Sequence, residues 1–298
     1  MNPNFDYQPY FNRFIGEVLP LDATRVERIN DAWSHLDELI AGDIAFRSYR
    51  PQIVAQGSYA VGTAIRPFRA RDEFDVDLLI KLTLPTWWGS RLTLDWLHAR
   101  LASNGVFKSR LVEHPRCVRV SYAGDFHLDI VPARRTRVIS PITGAPTLLR
   151  LKVPDRTGGW RFSNPEGFVR WCQRQDRRTG GDFSRVVMLL KRWRDINVPE
   201  KRRIRSIVFT TLIGLTVPSW KYGGDSRRPD ADILTATLGL LDRRLRKFTA
   251  VPRVMNPSLA SENLARNWTK TDFRAFCEQI REAHRLAVRR RRRCRADQ

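Results

Sequence analysis

The sequence predicts an α+β protein with two lobes, in which a sheet-containing part comes first and a helical part follows. Segments rich in β-branched and aromatic residues cluster before residue 160, whereas the apolar residues after it recur mostly at helical spacing. Strands followed by helices, rather than strands alternating with helices, are typical of α+β chains. A length of 298 residues and a hydrophobic fraction of 42% are sufficient for packed cores.

The first lobe is expected to begin with a long helix over residues 24–42, because the apolar residues of this segment share one helical face. A second helix is predicted over residues 93–103. Five segments bounded by turn residues are predicted as strands, namely 51–57, 73–82, 116–122, 125–132 and 147–153.

The second lobe is expected to start at Asn164-Pro165, since Asn is a good helix cap and Pro is tolerated in a first helical turn. Further helices are predicted in DFSRVVMLLKRWRD, IRSIVFTTLIGL, DADILTATLGLLDRRLRKF and KTDFRAFCEQIREAHRLAV. We place the boundary in residues 155–162, DRTGGWRF. This division predicts a first domain over residues 1–160, a helical lobe over 161–288 and a basic, disordered tail over 289–298.

The charge is strongly basic: 53 Lys and Arg against 31 Asp and Glu give +22. The tail contributes +5 through six Arg and one Asp and leaves +17 on the rest of the chain. A basic body indicates a polyanionic substrate or partner, such as nucleotides, nucleic acid or an anionic membrane surface. The alternative is a solvated basic face without a partner.

Several classes of protein are not indicated. The four cysteines, Cys117, Cys172, Cys277 and Cys294, form no CxxC pair and predict neither a disulfide framework nor a zinc site. The sequence contains no run of eighteen apolar residues, and its N-terminus lacks a signal-peptide pattern. We therefore expect a cytoplasmic location without membrane insertion.

Acidic residues alternate with apolar ones in the predicted strand 73–82. Residues two apart on a strand point to the same face, so Asp75 and Asp77 are expected to lie side by side, with Glu73 before them. Like charges at this spacing repel unless a cation neutralises them. The alternative, an edge strand facing solvent, is disfavoured because the following LLIKL is too apolar.

A second acidic strand, DFHLDIVPA, contains Asp125, His127 and Asp129. Asp129 lies between Leu128 and Ile130, within an apolar run, whereas an isolated His such as His127 is usually structural. Three carboxylates that converge from adjacent strands can hold two Mg²⁺ ions, with Mn²⁺ as a possible substitute, and two such ions serve phosphoryl transfer.

Gly57-Ser58 comes before the first of these acids. A glycine after a strand allows the backbone to approach a phosphate closely, and the amides of the next turn can donate to phosphate oxygens. The dipeptide alone is a weak signal. Its position upstream of two acidic strands predicts a phosphate site beside the carboxylates.

The motifs GSYAVGTAIRP, DEFDVDLLIKL and HLDIVPA resemble the nucleotidyltransferase superfamily with a polymerase-β-like core. More narrowly, they resemble the CD-NTases, the bacterial relatives of cyclic GMP–AMP synthase and DncV. SNPEGFVRWC, VVMLLKRWRD, IRSIVFTTL and NPSLASENLARNW look like the helical lobe of that family, in the expected order, over roughly residues 50–270. The resemblance implies a bilobed polymerase-β-like nucleotidyltransferase fold, with a mixed-sheet catalytic core, a long N-terminal helix and a C-terminal helical lobe.

The resemblance implies a role for each matching residue. Asp75, Asp77 and Asp129 would bind the metal ions, and Asp129 would help to activate the attacking hydroxyl. The triphosphate would be held by four residues: Gly57, Ser58, Lys191 and Ser206. Without the resemblance, Lys191 would be interpreted as a lysine on the surface of a helix.

Three assignments stay open. The pair Glu73 and Asp75 is an alternative to Asp75 and Asp77, although the apolar-Lys-Leu run after Asp77 favours the second pair. Tyr59 and Asn164 are candidates for contacts with the base, and each is equally readable as structural.

The activity implied by the resemblance is synthesis of a cyclic di- or trinucleotide second messenger from nucleoside triphosphates, with release of pyrophosphate. Family members commonly act in anti-phage signalling through a separately encoded effector. Two other activities are carried as alternatives: a linear nucleotidyltransferase, such as an oligoadenylate synthetase, a tRNA-modifying enzyme or a nucleotidylating toxin, and an inactive nucleic-acid-binding relative. No Cys and His cluster matches the zinc ribbon of the animal synthase. The basic body suggests that RNA binds away from the catalytic acids and regulates the enzyme.

Overall fold

The computed structural model describes residues 6–69, 72–122, 124–139, 146–199, 204–218 and 228–296. The chain divides into two compact units. The first, here called the sheet unit, comprises Leu21–Val61 and Arg69–Val169. The second, here called the helical unit, comprises Met1–Pro20, Gly62–Phe68 and Arg170–Gln298.

The described residues form helices and strands in mixed order. The helices are α1 Gln8–Arg13, α2 Ala23–Gly42, α3 Ile44–Arg47, α4 Gly57–Val61, α5 Ser90–Ala102, α6 Gly105–Lys108, α7 Pro165–Arg178, α8 Asp182–Asn197, α9 Ser206–Gly214, α10 Asp230–Leu245 and α11 Lys270–Ala296, with a π-helical turn at Phe14–Val18 after α1. The strands are β1 Gln52–Gln56, β2 Phe74–Leu82, β3 Leu111–Glu113, β4 Val118–Tyr122, β5 Phe126–Ile139, β6 Pro146–Asp155, β7 Gly159–Ser163, β8 Met255–Asn256 and β9 Leu259–Asn263.

The sheet unit is built on one mixed sheet with the strand order β1-β2-β5-β4-β3. β2 and β5 run parallel, whereas the other neighbours are antiparallel. The second half of β5 pairs with β6, and β6 pairs with β7. One face of the sheet is apolar because alternate strand residues point to it; it packs with α2 and α5 through a buried core that includes Val76, Leu78, Ile80, Leu128, Ile130, Ile29, Leu36 and Leu97.

The helical unit includes the short segment Gly62–Phe68, which α8 fixes by two hydrogen bonds from its basic side chains. Lys191 Nζ donates to the Thr63 carbonyl at 2.7 Å, and Arg192 Nη2 donates to the Arg66 carbonyl at 2.6 Å. The Arg66 amide in turn donates to the Leu19 carbonyl at 2.7 Å, which attaches the N-terminal segment. Buried side chains of α8 account for most of its predicted apolar face, namely Phe183, Val186, Val187 and Leu190.

The five predicted strands and the predicted long helices are all present. The structure differs from the prediction in the segments that connect these elements. Gly57-Ser58 begins the short helix α4 rather than an open turn. Strands β3 and β7 were not predicted, and β8 and β9 form a hairpin in the part that was expected to contain helices alone. β3 and β8 are only three and two residues long, which is too short to show a period-2 pattern.

The division of the chain also differs from the predicted one. The helical unit begins again at Arg170 rather than at residue 161, and the residues up to Pro20 belong to it rather than to the unit that contains the acids. The segment predicted as a disordered tail continues α11 as far as Ala296. Arg and Ala are good helix formers, and the absence of Gly and Pro after Lys270 leaves nothing to end the helix.

Within the described ranges, no helix is both long enough and apolar enough to cross a membrane.

The turn between β6 and β7 is organised by the buried carboxylate of Asp155. Its Oδ1 accepts hydrogen bonds from the Thr157 amide at 3.1 Å and the Gly158 amide at 2.9 Å, and its Oδ2 accepts one from Arg116 Nε at 2.9 Å. Burial alone would raise the pKa of this carboxyl, but the donors at Gly158, Thr157 and Arg116 outweigh burial and lower the pKa to about 2. The carboxylate therefore stabilises the hairpin in its charged form.

We expect Asp155→Asn to lower the free energy of unfolding by about 2 kcal/mol at neutral pH, because an amide oxygen replaces a charged acceptor of several donors. The folded-state pKa lies below the usual 3.8, so the contribution of the carboxylate is complete above about pH 4 and is lost as the pH falls towards 2. Urea unfolding of both proteins between pH 7 and pH 2.5 measures it. Asp95→Asn, at a more exposed acid that pairs with Arg156, is the matched control. A pH-independent difference between Asp155→Asn and the parent would contradict the assignment.

Candidate active site

The register of the sheet places all three predicted catalytic acids on one face. Asp75 is paired with His127 and Asp77 with Asp129 across the parallel strands β2 and β5, and Arg119 of β4 is paired with Asp129. Residues paired across neighbouring strands point to the same side of a sheet. The acids and Arg119 thus lie on the face opposite Val76, Leu78 and Ile80 of β2, whose side chains lie in the core.

Arg119 binds two of the three acids. Its Nε and Nη2 donate to Asp129 Oδ1 and Oδ2 at 2.7 and 2.8 Å, a bidentate arrangement, and Nη2 also donates to Asp75 Oδ1 at 2.9 Å. The hydrogen bonds to Asp129 raise the pKa of the guanidinium, which keeps it charged. Desolvation raises the pKa of the Asp75 carboxyl, with Arg119 opposing this rise and Asp129 adding to it. Arg119 is therefore the counter-charge of this acidic face.

Sequence reasoning did not select Arg119. It lies between Val118 and Val120, which are buried in the core, so strand alternation places it on the other face. The same alternation carries Cys117 next to the acids, where burial and the neighbouring Asp129 raise the pKa of its thiol. The missing information was the register of β4 against β5, which the sequence pattern alone does not contain.

Gly57 and Asp77 are in close contact. Gly57 links β1 to α4 with a φ of +66°, a left-handed conformation that favours glycine. A Cβ at this position would lie 2.9 Å from Asp77 Cγ and closer still to Oδ2. The Asp77 carboxylate thus lies against the backbone at Gly57, immediately before Ser58, and the predicted phosphate segment and the predicted acids adjoin each other within the sheet unit.

The donor set on this face fits Mg²⁺, since three carboxylates supply the oxygen ligands that this ion prefers, and the missing side chain of Gly57 allows the Asp77 carboxylate to lie against the backbone. In the part of the chain that the structure describes, however, no three Asp, Glu, His or Cys side chains form a ready-made metal site. The Arg119 guanidinium bridges Asp75 and Asp129 instead. Asp75 and Asp129 are therefore held in place by a cation of the protein itself.

Glu73 and Asp125 have other partners. Glu73 Oε2 lies 2.7 Å from His127 Nε2, and Glu73 Oε1 accepts a hydrogen bond from the Gly124 amide at 2.7 Å. Asp125 is buried and forms ion pairs with Arg25 at 3.1 Å and Arg28 at 2.8 Å, which tie α2 to the start of β5. Both acids have contacts that favour structural roles.

The remaining predicted site residues fall in both units. Lys191 belongs to the helical unit, where it is buried and bound to the Thr63 carbonyl. Ser206 is the first residue of α9 in the same unit, and its hydroxyl accepts a hydrogen bond from Arg194 Nη1 at 3.1 Å. In the sheet unit, Asn164 Oδ1 accepts a hydrogen bond from the Gly167 amide at 3.1 Å, which is the predicted helix cap, and Tyr59 packs against the core.

The fold and the acidic face define the class of the protein, a nucleotidyltransferase-type sheet with three carboxylates on one face. Residues 6–176 match the Second Messenger Oligonucleotide or Dinucleotide Synthetase domain, and the chain belongs to this family. These proteins are the CD-NTases, as the sequence motifs predicted.

Two curated relatives and one solved structure illustrate the similarity. A c-di-GMP synthase of Roseivirga ehrenbergii is 28% identical over 53% of this chain and 40% of the relative, so the match spans less than half of that protein. A cyclic AMP-AMP-AMP synthase of an Acinetobacter strain is 22% identical over 94% of this chain and 78% of the relative. The CD-NTase CdnG of Bradyrhizobium diazoefficiens, solved in complex with GTP, superposes with a TM-score of 0.75 at 19% identity over 96% of this chain and 93% of its own. This superposition confirms the predicted polymerase-β-like fold.

We expect Gly57→Ala to destabilise the protein more than Gly62→Ala does. Both glycines have a left-handed φ, +66° and +73°, but a Cβ at Gly62 meets nothing within 4 Å. Gly62→Ala should therefore show only the backbone strain, about 1–2 kcal/mol, and Gly57→Ala should lose about 1–3 kcal/mol more through its collision with Asp77. Urea unfolding of the two variants measures the difference. Equal destabilisation would mean that Gly57 is not in contact with Asp77 in solution.

We expect Arg119→Met to lower the free energy of unfolding by about 3 kcal/mol, because it leaves the buried Asp129 without its cation. Mg²⁺ should then raise the thermal midpoint of Arg119→Met more than that of the parent. Adding Asp75→Asn should recover part of the loss, since it removes one of two adjacent like charges, and the double-mutant cycle measures their coupling. A variant as stable as the parent, with the same response to Mg²⁺, would show that Arg119 does not neutralise the acids.

Proposed function

We propose that the chain synthesises a cyclic oligonucleotide from nucleoside triphosphates, joining two or three nucleotides with release of pyrophosphate. The observation that carries this proposal is the row of Asp75, Asp77 and Asp129 on one sheet face, with Gly57-Ser58 directly against Asp77. Membership of the synthetase family supports it, as does the similarity to a c-di-GMP synthase and to a cyclic AMP-AMP-AMP synthase.

Asp75, Asp77 and Asp129 would hold two Mg²⁺ ions, which supply charge neutralisation for the phosphates and for the attacking and leaving oxygens. In the proposed complex Asp129 orients the ribose hydroxyl and accepts its proton. Gly57 brings the backbone close to the triphosphate, and the Ser58 hydroxyl donates to a phosphate oxygen. Arg119 gives up its contacts with Asp75 and Asp129 and then faces the same phosphates as a cation.

Lys191 and Ser206, which both belong to the helical unit, are proposed to bind phosphate groups of the nucleotide. A lysine is a point charge suited to phosphate, and Ser206 opens a nine-residue helix, where backbone amides favour anions. Lys191 would exchange its bond to the Thr63 carbonyl for a phosphate oxygen.

The product is proposed to be a second messenger that acts on a separately encoded effector, in anti-phage signalling and in the cytoplasm. The family description, which names second messengers, supports the first part. The anti-phage setting rests on the resemblance of the motifs alone.

The experiment is incubation of the full chain with all four nucleoside triphosphates and Mg²⁺, followed by mass spectrometry and phosphatase treatment. We expect a cyclic product, which resists phosphatase because it has no terminal phosphate. Asp75→Asn with Asp77→Asn should lower its rate by at least about 10³-fold, since catalysis here is positioning and electrostatic stabilisation. The double variant should keep the circular dichroism of the parent.

Glu73→Gln is the matched control, because Glu73 immediately precedes β2, the strand of Asp75 and Asp77, but is bound to His127 and Gly124. It should keep most of the activity. Loss of activity in Glu73→Gln with retention in Asp77→Asn would overturn the choice of acids. A phosphatase-sensitive product would indicate a linear synthetase, and the absence of any Mg²⁺-dependent product would contradict the synthase proposal.

A further inference from the structure

A surface of the sheet unit away from the acids combines basic and aromatic side chains. Arg134 of β5, Lys152 of β6 and Phe162 of β7 are register partners across three strands, and Trp160 and Arg150 occupy the neighbouring rows. Arg134 follows Asp129 by an odd number of positions on the same strand, so it points to the opposite face. We call Trp87, Arg134, Arg150, Lys152, Trp160 and Phe162 the stacking face.

Cations and aromatic rings alternate on the stacking face. Lys152 Nζ lies 4.8 Å from the centre of the Phe162 ring, and the Arg150 guanidinium lies 5.7 Å from it. The Arg134 guanidinium lies 4.4 Å from the Trp160 ring. These distances are within the range of cation–π interactions, so the cations lie over the faces of the rings.

The loop that carries Trp87 is fixed to the same face. Arg134 Nη1 donates to the Thr86 carbonyl at 3.0 Å and to the Trp88 carbonyl at 3.3 Å. Trp160 Nε1 donates to the Trp88 carbonyl at 2.9 Å. Both neighbours of Trp87 are therefore anchored, yet the Trp87 side chain has an exposed fraction of 76% and Phe162 one of 38%.

The charge of the stacking face is not neutralised by the described part of the protein. Arg134, Arg150 and Lys152 form no ion pair with an acid among the residues that the structure describes. By contrast, Arg161 points to the other face of β7 and lies 3.6 Å from Asp155. Arg134 is itself buried, so the cations open to a ligand are Arg150 and Lys152. Together with the exposed rings they suit a ligand that has both negative charge and flat π surfaces.

Single-stranded nucleic acid has both properties. Its bases are free to stack on aromatic side chains, and its phosphates attract Lys and Arg. In a duplex the bases are stacked on one another and the rings could reach only the backbone. We propose that single-stranded nucleic acid binds to the stacking face, with bases on Trp87 and Phe162 and phosphates near Arg150 and Lys152.

This binding is independent of the proposed synthase activity, because no residue of the stacking face belongs to the acidic face. It assigns a specific surface to the basic charge of the chain, which is +22 overall. Binding at this face occurs on the reverse side of β5 from Asp129, so it leaves the acids accessible.

The test is fluorescence anisotropy with the full chain and labelled probes of about 20 nucleotides, long enough for the site sizes typical of single-strand binders. The probes are oligo-U RNA, oligo-dT DNA and an RNA duplex of the same length. We expect both single strands to bind more tightly than the duplex. Tighter binding of RNA than of DNA would indicate a contact with the ribose 2′-hydroxyl. Equal binding would indicate that the affinity comes from the bases and phosphates, which both probes share.

Trp87→Ala and Phe162→Ala should each weaken single-strand binding by about tenfold, as expected for the loss of one stacked base. Arg150→Ala and Lys152→Ala should each lower the slope of log K against log salt by about 1. Two control variants remove a side chain outside the stacking face. They are Arg161→Ala, on the other face of β7, and Tyr10→Ala, at an exposed aromatic residue of the helical unit. Both leave the basic residues of α11 unchanged. Neither should weaken binding by more than about twofold.

Three outcomes would overturn the proposal: no binding of any probe, binding that Trp87→Ala and Phe162→Ala leave unchanged, or equal losses in the controls. The last two would assign the affinity to non-specific attraction. Circular dichroism and thermal midpoints of the variants should match the parent, because both substituted rings are exposed. Unchanged synthase activity in the absence of nucleic acid would separate this surface from the proposed active site.

Discussion

The parallel pairing of β2 with β5 is the constraint on which the acidic face depends. In this register Asp77 is opposite Asp129 and Asp75 is opposite His127, so three carboxylates share one face while alternate residues fill the core. A slip of one residue would exchange the two faces and carry the carboxylates into the core. The apolar side chains of β2 and β5 therefore specify the position of the acids, although none of them takes part in the chemistry. Arg119 completes the arrangement, because carboxylates this close repel one another without a counter-charge.

β5 is long enough to contribute to two different surfaces of the sheet unit. Its first half, around Asp129, lies between β2 and β4 and carries the acids. Its second half, from Arg134 onwards, pairs with β6 and carries the stacking face on the reverse side. The Asp155 turn fixes the end of the β6–β7 hairpin, so the position of Phe162 depends on a carboxylate that is remote from the acidic row. Rigid pairing thus holds both surfaces in a fixed relation within the sheet unit.

Much of the fold and the acidic face was predictable because alternation and helical periodicity are local signals. Asp75, Asp77 and Asp129 stand out as acids in apolar strands, and Asn164 followed by Pro165 indicates the start of a helix. Arg119 was not predictable, because its role depends on which strand pairs with β5 and in which register. The same is true of Gly62–Phe68 and the N-terminal residues, whose place in the helical unit depends on hydrogen bonds between segments far apart in sequence. Arg134 and Phe162 become one surface only through long-range register.

The acidic face and the stacking face carry charge of opposite sign, so they would interact differently with a polyanion. On the acidic face Arg119 binds two of the three carboxylates, so a triphosphate at the proposed site would need further cations, and its binding would be coupled to metal. The stacking face carries unpaired cations and exposed rings, so a nucleic acid meets favourable charge without any ion. Under the two proposals, salt would weaken attraction at the stacking face, whereas divalent ions would create it at the acidic face. A polynucleotide would therefore favour the stacking face, and the acids would stay available to nucleotides that carry their own metal ions.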